Sequence, residues 1–253
     1  MLRRRCLSLS LAALAVGAPL ATSSPSEGKG GPCPAGMAHV AVEGKKAYCI
    51  DRYEGSLVTV EGKKEKPHAP YEPVAKDEKV RAVSRSGVVP QGYISQTEAA
   101  AACKNAKKRL CTSEEWEQAC RGKNPTTFPY GDERKSGYCN DSGRAPLATL
   151  YPEMGQDVYA SATAMNDPRI NQAEGTVSPT GSHAKCKNAF GVFDMVGNLH
   201  EWVEGVSNGH GTFRGGYYQD TTKNGDGCKY RTVAHDPSYH DYSTGFRCCA
   251  DPR

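Results

Sequence analysis

Cysteine offers the most chemistry in this chain, because 11 of its 253 residues are cysteines. Thiolates bind soft metals, act as nucleophiles and form disulfides. No two of them stand in a C-x-x-C arrangement, so the usual sequence form of a structural zinc site is missing. Cys248 and Cys249 are neighbours, and because a bond between neighbours has poor geometry, we expect them to pair with two different partners.

Histidines and acids accumulate in the C-terminal third. They are His200, His210, His235 and His240, together with Asp220, Asp236 and Asp241. Two histidines and one carboxylate form the face by which many proteins hold non-haem iron. These residues are scattered without close local spacing, however, and such a pattern is more typical of exposed loop histidines.

An acidic loop is the other stretch with chemical potential. Asp194 and Glu201 bracket a turn at Gly197 in the string DMVGNLHE. Calcium needs only oxygen ligands and loops that point carbonyls inward, so this stretch is a candidate calcium loop. The alternative is a helix start, with Asp194 as the N-cap and Glu201 in solvent. We favour calcium.

The first 23 residues have the composition of a secretory signal peptide. Arg3 to Arg5 precede an apolar run at 7–20, and small residues follow through Ser24. The run has about 14 residues, fewer than the roughly 20 that span a bilayer, so we expect cleavage within 18–24 rather than a retained anchor. Cleavage would also remove Cys6, leaving ten cysteines in a secreted or periplasmic protein and predicting five disulfides.

Residues 24–32 lack apolar side chains and predict a disordered linker, so the folded domain is expected at 33–253. Without the three N-terminal arginines, 29 basic residues face 28 acidic ones, a net charge of +1. Nucleic-acid binding depends on many phosphate contacts from a basic face. We therefore expect no nucleic-acid partner, and no membrane association after signal cleavage.

Two helices are the clearest local elements. Capping boxes at 95–98 (SQTE) and 112–115 (TSEE) predict helices at about 96–107 and 113–121. The second helix places an apolar stripe on one face, formed by Trp116, Ala119 and Cys120.

The sequence patterns that predict strands are shorter than those that predict the two helices. Alternating patterns at 37–42 and 47–60 predict short strands. Residues 61–92 are polar and lysine-rich, which predicts a surface excursion rather than core. The chain beyond Asn124 is rich in turn formers and is expected to be mostly loops, held by disulfides.

Four strings occur in a fixed order along the chain. They are IDRYE at 50–54, CKNAKKRLCTSEEWEQACRG with FPYG at 103–131, NAFGVFDMVGNLHEWV at 188–203, and FRGGYY at 213–218 with a closing GFRCCAD. Four such strings in order are hard to obtain by chance. Together they resemble the sulfatase-modifying-factor domain of formylglycine-generating enzymes, over about residues 50–251.

This resemblance implies a single compact, loop-rich α+β domain of C-type-lectin-like architecture, with bound calcium and a shallow groove for an extended peptide. Active family members bind Cu(I) with two cysteines near the C-terminus and use O2 to convert a cysteine in a sulfatase's C-x-P-x-R segment to formylglycine. The residues expected to line the groove are Arg214, Gly215, Gly216, Tyr217, Tyr218, Asp220, Arg231 and His235.

The family's two copper cysteines have no counterpart in this chain. Family spacing places them at Asp220 and Gly225, and it places the active-site serine at Tyr217. A carboxylate is a hard ligand and does not replace a thiolate toward Cu(I). A loop insertion would bring in Cys228 as one thiol, but one thiol cannot form a linear bis-thiolate site. We therefore expect no copper.

The resemblance also assigns calcium ligands. The family's calcium loop corresponds to the side chains of Asp194 and Glu201 and the carbonyls of Gly197 and Leu199. A second family site corresponds to Asn140, the Asp141 carbonyl, Asn171 and the Ala173 carbonyl.

Spacing and resemblance together suggest the disulfides. Cys33 and Cys49 bracket a hairpin-sized segment. The resemblance implies Cys103–Cys248, with Cys111–Cys249 beside it. Cys120–Cys139 and Cys186–Cys228 would complete the set, although sequence alone leaves the connectivity open.

Three function classes follow. The leading one is a secreted, calcium-stabilised domain that binds an extended peptide or protein partner without the family's copper oxidase chemistry. The second is an active oxidase of protein cysteine with a divergent metal site that uses Cys228 and nearby histidines. The third is a carbohydrate-binding lectin-like module, although the calcium-linked Glu-Pro-Asn and Gln-Pro-Asp triplets are missing. Only the second requires a reduced cysteine with bound copper or iron.

Overall fold

The computed structural model describes residues 31–253. The predicted signal peptide and residues 24–30 of the predicted linker lie outside the described residues. Between residues 31 and 253, no helix has the length and apolar character needed to cross a membrane.

The first four-stranded sheet joins the N-terminal strands to the last strand of the chain. Its order is β1-β2-β11-β6, and it consists of β1 (Met37–Val40), β2 (Tyr48–Asp51), β6 (Arg109–Leu110) and β11 (Cys248–Ala250). All its neighbouring strands are antiparallel. The central strand β2 is buried along its whole length, which explains its run of apolar residues.

The second four-stranded sheet carries the acidic loop's end and the RGG string. Its order is β10-β7-β8-β9, and it consists of β7 (His200–Ser207), β8 (His210–Arg214), β9 (Arg231–His235) and β10 (Thr244–Phe246). β10 and β7 are parallel, and the other two pairs are antiparallel. The strand β9 lies at one edge.

A three-stranded sheet corrects the prediction for residues 61–92. Its order is β4-β3-β5, with β3 (Gly55–Glu61), β4 (Lys64–Pro67) and β5 (Val80–Ser84). β4 is exposed, as predicted. In β5, however, Val80 and Ala82 are buried, because alternate residues of the strand face the first helix. The segment is therefore partly core.

The two predicted helices are present as α1 (Gln96–Asn105) and α2 (Ser113–Arg121), and both capping boxes are formed. The helix α1 is shorter than predicted, because Lys107 takes a left-handed backbone conformation with φ of 58°. The stripe of α2 faces inward, since Trp116, Ala119 and Cys120 are all fully buried.

Short helices punctuate the long loops between α2 and β7. They are α3 (Pro146–Leu150), α4 (Ala162–Met165) and α5 (Arg169–Gln172), with a 3-10 helix at Gly155–Ala160. A second 3-10 helix, Gly227–Lys229, lies between β8 and β9. Cys139–Cys186 joins two of these loops, Cys120–Cys228 joins α2 to the second 3-10 helix, and Cys103–Cys248 and Cys111–Cys249 tie α1 and the chain after β6 to β11.

The disulfides confirm three expected pairs and correct two. Cys33–Cys49, Cys103–Cys248 and Cys111–Cys249 are formed. The expected pairs Cys120–Cys139 and Cys186–Cys228 are wrong. The structure contains Cys120–Cys228 and Cys139–Cys186, with Cα separations of 5.6 and 4.7 Å. The reason is that Cys120 ends α2, which packs against the 3-10 helix containing Cys228.

Candidate functional site

A fully buried ion pair joins Arg247 to Glu201, the last residue of the acidic loop at 194–201. The guanidinium of Arg247, directly after β10, donates two hydrogen bonds of 2.6 Å to the two carboxylate oxygens of Glu201 in β7. The indole Nε1 of Trp116 donates to the same carboxylate at 2.6 Å. Glu201 is 1% exposed, so the alternative that placed it in solvent is wrong.

Asp194 begins the loop in a left-handed conformation, with φ of 57°. Its carboxylate accepts one hydrogen bond, from the backbone N–H of Gly181 at 2.6 Å. Burial raises the pKa of Asp194 to about 6; the Gly181 N–H and Arg247 oppose this rise, and Glu201 adds to it. Asp194 does not start a helix, since an irregular segment follows it up to β7.

A third buried carboxylate, Glu54, lies against the same loop. Its Oε2 accepts from the side-chain amide of Asn198 at 2.6 Å, and its Oε1 accepts from the backbone N–H of Leu199 at 3.2 Å. Burial is the main cause that raises the pKa of Glu54 well above its ordinary value, and Asp194 and Glu201 raise it further.

The loop has the donor chemistry that calcium requires. Three buried carboxylates, of Glu54, Asp194 and Glu201, face the single guanidinium of Arg247, so full ionisation leaves excess negative charge in the interior. Within the described chain, no hydrogen bond reaches the carbonyls of Gly197 and Leu199. The Asp194 carboxylate, which accepts one hydrogen bond, and the two free carbonyls offer oxygens that suit calcium, whereas both Glu201 oxygens already accept from Arg247 or Trp116.

The second expected calcium set is more heavily engaged. The Asp141 carbonyl accepts from Arg134 at 2.9 Å, and the Ala173 carbonyl accepts from the Thr176 hydroxyl at 2.6 Å. Asn171, by contrast, is 3% exposed, and its Oδ1 has no hydrogen-bond partner among the described residues. An orphaned buried oxygen is consistent with a ligand.

Asn140 is held by hydrogen bonds through its Nδ2 and its main-chain carbonyl, and in the described chain no hydrogen bond reaches its side-chain Oδ1. Its Nδ2 donates to the Thr176 carbonyl and to Asn198 Oδ1, both at 2.8 Å. Its carbonyl accepts from the backbone N–H of Asn198 at 2.8 Å. The two candidate sites are thus joined by direct hydrogen bonds between Asn140 and Asn198.

Most of the predicted groove residues lie in the interior. Arg214 is 6% exposed and donates to Glu117 at 2.8 Å. Gly215 and Gly216 are buried with φ of 85° and 71°, and a Cβ on Gly216 would lie 2.2 Å from the Asp220 carbonyl oxygen. Tyr218 is fully buried among other tyrosines. Arg214 and Tyr218 are therefore buried in this structure and are not exposed on the surface of a groove.

Three predicted groove residues do reach the surface. Arg231 is exposed at the start of β9, and His235 is half-buried at its end. Tyr217 is half-buried, and its ring lies tilted against that of His200 with 4.8 Å between ring centroids. Of the predicted groove residues, those that reach the surface are therefore Tyr217 and the two ends of the edge strand β9, Arg231 and His235.

Asp220 performs a structural task. Its Oδ1 accepts from the backbone N–H groups of Thr222 and Lys223 at 3.0 and 3.1 Å, and its Oδ2 accepts from the Tyr230 hydroxyl at 3.0 Å. Burial acts to raise the pKa of Asp220, but these donors outweigh it and the pKa is lowered. An ionised, satisfied turn cap results.

A model of the sulfatase-modifying factor enzyme 1-like domain matches residues 40–252. The chain belongs to this family. The formylglycine-generating enzymes of Mycobacterium tuberculosis and Mus musculus are 30% and 28% identical to it over 64% of its length. The chain covers 58% and 44% of those two proteins, so it spans about half the length of the curated relatives it matches.

Solved structures agree on the fold. The Treponema denticola variable protein 1 superimposes with a TM-score of 0.50 at 14% identity, covering 87% of this chain and all of that one. The architecture is the α+β, C-type-lectin-like fold expected of a sulfatase-modifying-factor domain, with five disulfides.

The family's copper chemistry does not fit the residues present. In residues 31–253 every cysteine is in a disulfide, and Cys228 is fully buried and bonded to Cys120. The two positions expected from family spacing are occupied by the turn cap Asp220 and by Gly225, and neither offers a thiolate. A soft Cu(I) ion therefore finds no pair of sulfur ligands there.

The C-terminal histidines do not converge in this sulfatase-modifying-factor domain. The ring of His235 stacks on Tyr239 at 3.9 Å, and His240 Nδ1 lies 2.7 Å from Asn166 Oδ1. Over the described range, no three His, Cys, Asp or Glu side chains are placed to hold a metal. The candidate iron face is therefore not formed.

One string with hydrolase-like spacing is also structural. Residues 205–209 read GVSNG, but they form the two-residue hairpin turn between β7 and β8, where Ser207 pairs with His210. Asn208 and Gly209 have φ of 50° and 80°, as a type I′ turn requires. A nucleophile elbow needs a strand-to-helix turn, so this serine is not an activated nucleophile.

Sequence reasoning missed three members of the buried site: Glu54, Asn198 and Arg247. All three lie within the strings that carry the family resemblance, IDRYE, DMVGN and GFRCC. Their presence in those strings was the available signal, but nothing in their spacing shows that they meet.

Proposed function

We propose that this chain is a secreted, calcium-stabilised sulfatase-modifying-factor domain that binds an extended peptide of a protein partner and lacks the family's copper oxidase chemistry. The observation that carries the proposal is the bonding of the cysteine sulfur atoms. All ten described cysteines are in disulfides, and the two copper positions hold Asp220 and Gly225.

Secretion is supported by the cross-links. Disulfides persist in oxidising compartments and are rare where glutathione keeps thiols reduced. Five of them in one domain suit a protein that leaves the cytoplasm, in agreement with the signal-like sequence at 1–23.

Peptide binding is supported by the edge strand β9. An extended peptide can add to an exposed sheet edge through main-chain hydrogen bonds, while neighbouring side chains give specificity. The middle of β9 is exposed, with Val233 37% accessible to solvent. Arg231 at one end and His235 at the other, with Tyr217 as a further contact, would supply polar and aromatic contacts to the peptide.

Free thiols and metal content provide the first experiment. The secreted protein is denatured and titrated for thiols, and its calcium and copper are measured by elemental analysis. We expect no thiol and no copper, with calcium bound. One or more thiols with stoichiometric copper would instead support the divergent oxidase.

Two functional assays complete the test. A C-x-P-x-R peptide is incubated with the protein and O2, and aldehyde formation is followed by mass spectrometry; aldehyde produced in proportion to enzyme would refute the loss of oxidase chemistry. A peptide array is then probed with wild type and with Arg231→Ala. Lys64→Ala, on the exposed strand β4, is the matched control. We expect Arg231→Ala alone to weaken peptide signals, and equal signals from all three proteins would refute the β9 surface.

A further inference from the structure

The candidate calcium loop is held in a conformation that it would not adopt alone. Asp194, Gly197 and Asn198 all have φ between 57° and 78°, in the left-handed region. This region is sterically unfavourable for residues other than glycine, so surrounding contacts must fix Asp194 and Asn198 there. At Gly197 a Cβ would lie 2.1 Å from the Asn140 carbonyl oxygen, and only glycine fits.

Three consecutive peptide planes of the loop are held through their N–H groups. The N–H of Asn198 donates to Asn140 at 2.8 Å, and the N–H of His200 donates to Ser243 at 2.8 Å. Because a peptide unit is planar, these bonds orient the carbonyls of Gly197 and Leu199, which share those planes. These carbonyls are the two candidate calcium ligands.

Glu54 holds the plane between them. One carboxylate oxygen accepts from the N–H of Leu199, and the other accepts from Asn198 Nδ2. The Asn198 side chain is in turn bound to Asn140 and to the backbone N–H of Ser178. Glu54 thus ties the loop to the start of β3, from a position 140 or more residues away in sequence.

We propose that Glu54 is a positioning residue for calcium: its carboxylate fixes the 197–199 carbonyls through Leu199 N–H and Asn198, and it does not itself bind the ion. The inference rests on the calcium part of the proposed function. Residues that orient metal ligands from behind typically contribute 10- to 100-fold to metal affinity.

Charge alone would predict a different pattern of effects. If Glu54 acted only by adding negative charge near the ion, a new carboxylate beside it would strengthen calcium binding. Asn198→Asp supplies that carboxylate and keeps a residue type that tolerates the left-handed conformation. It also removes the Nδ2 donor to Glu54, so the positioning role predicts weaker binding.

The experiment is calcium titration of the full secreted protein by calorimetry, after removal of metal with a chelator. Glu54→Gln keeps the side-chain volume but has a single acceptor oxygen, so it loses either the bond from Asn198 Nδ2 or the bond from the Leu199 N–H. We expect the calcium Kd to rise about 10-fold or more with the stoichiometry unchanged. We expect Asn198→Asp to raise Kd as well.

Glu115→Gln is the matched control. The Glu115 carboxylate also accepts from a backbone N–H, that of Thr112, and from a side chain, that of Arg109, but it lies in the α2 capping box. The calcium Kd of the Glu115→Gln variant should equal that of wild type. Circular dichroism and a thiol count of zero confirm that each variant is folded and cross-linked.

The outcomes separate the two proposals. Wild-type Kd in Glu54→Gln would overturn the positioning role, and so would tighter binding in Asn198→Asp. Loss of one calcium equivalent in Glu54→Gln would make Glu54 a ligand and overturn the inference in that way. Absence of calcium binding by wild type would overturn the calcium part of the proposed function itself.

Discussion

Acidification should destabilise this protein through His200, which is buried against the rings of Phe213, Tyr217 and Tyr230. Burial lowers the pKa of His200 from 6.5 to about 3; Asp220 opposes the shift and His235 adds to it. The folded state therefore keeps the imidazole neutral at pH values where the unfolded chain binds a proton.

The sign and size of the effect follow from proton linkage. The contribution of His200 is fully present above pH 6.5, the unfolded value, and is lost as the pH falls from there toward 3. Each pH unit in this window removes about 1.4 kcal/mol from the free energy of unfolding. Between pH 7.5 and 4.5 the loss is thus about 2.7 kcal/mol.

His200→Gln removes the titrating group. The variant loses the ring contacts and starts from a lower stability at pH 7.5, but its free energy of unfolding should fall less on acidification. We expect the gap between wild type and variant to shrink by about 2.7 kcal/mol by pH 4.5.

The assay is guanidinium unfolding at four pH values and fixed calcium, followed by tryptophan fluorescence, since Trp116 and Trp202 are both fully buried. His39→Gln, at an exposed position, is the control and should keep the wild-type pH profile. Parallel profiles for wild type and His200→Gln would show that the buried imidazole is not the group responsible.

Three further changes test other parts of the structure. Arg247→Met should lower the free energy of unfolding by about 3–5 kcal/mol in denaturant titrations, because Glu201 is left buried and uncompensated; a loss under 1 kcal/mol would contradict this. Cys228→Ser opens a disulfide that spans 108 residues and should cost about 4–5 kcal/mol by the same assay. The double variant Asp220→Cys, Gly225→Cys should produce no aldehyde from a C-x-P-x-R peptide. It should also have a lower Tm, because it removes the turn cap and puts a side chain at φ of 108°. Oxidase activity in this variant would show that the loop can still hold copper.

The sequence predicted the structure correctly where the stabilising contacts join residues that are close in sequence. The capping boxes at 95–98 and 112–115 involve hydrogen bonds across three residues, and both formed as predicted. The inward stripe of α2 followed from helical spacing. By contrast, β5 was missed, because its burial depends on α1, a separate element that covers one face of the strand.

The order of four strings was sufficient to assign the family, and ten cysteines were sufficient to expect five disulfides. The pairing of Cys120, Cys139, Cys186 and Cys228 was not available from sequence, because it depends on which loops the packed sheets bring within about 6 Å of each other. Likewise, residue types suggested a groove, whereas packing placed Arg214 and Tyr218 inside.

The sequence by itself determined the family, the two main helices and the position of the acidic loop. Only the tertiary structure decided that Glu54 accepts a hydrogen bond from Asn198 of that loop and that Arg247 pairs with Glu201 at the loop's end. The physical reason is that no local sequence pattern indicates a hydrogen bond between residues 54 and 198. It exists because several strands pack around one interior, and that interior stabilises buried charges only when partners from distant segments reach them.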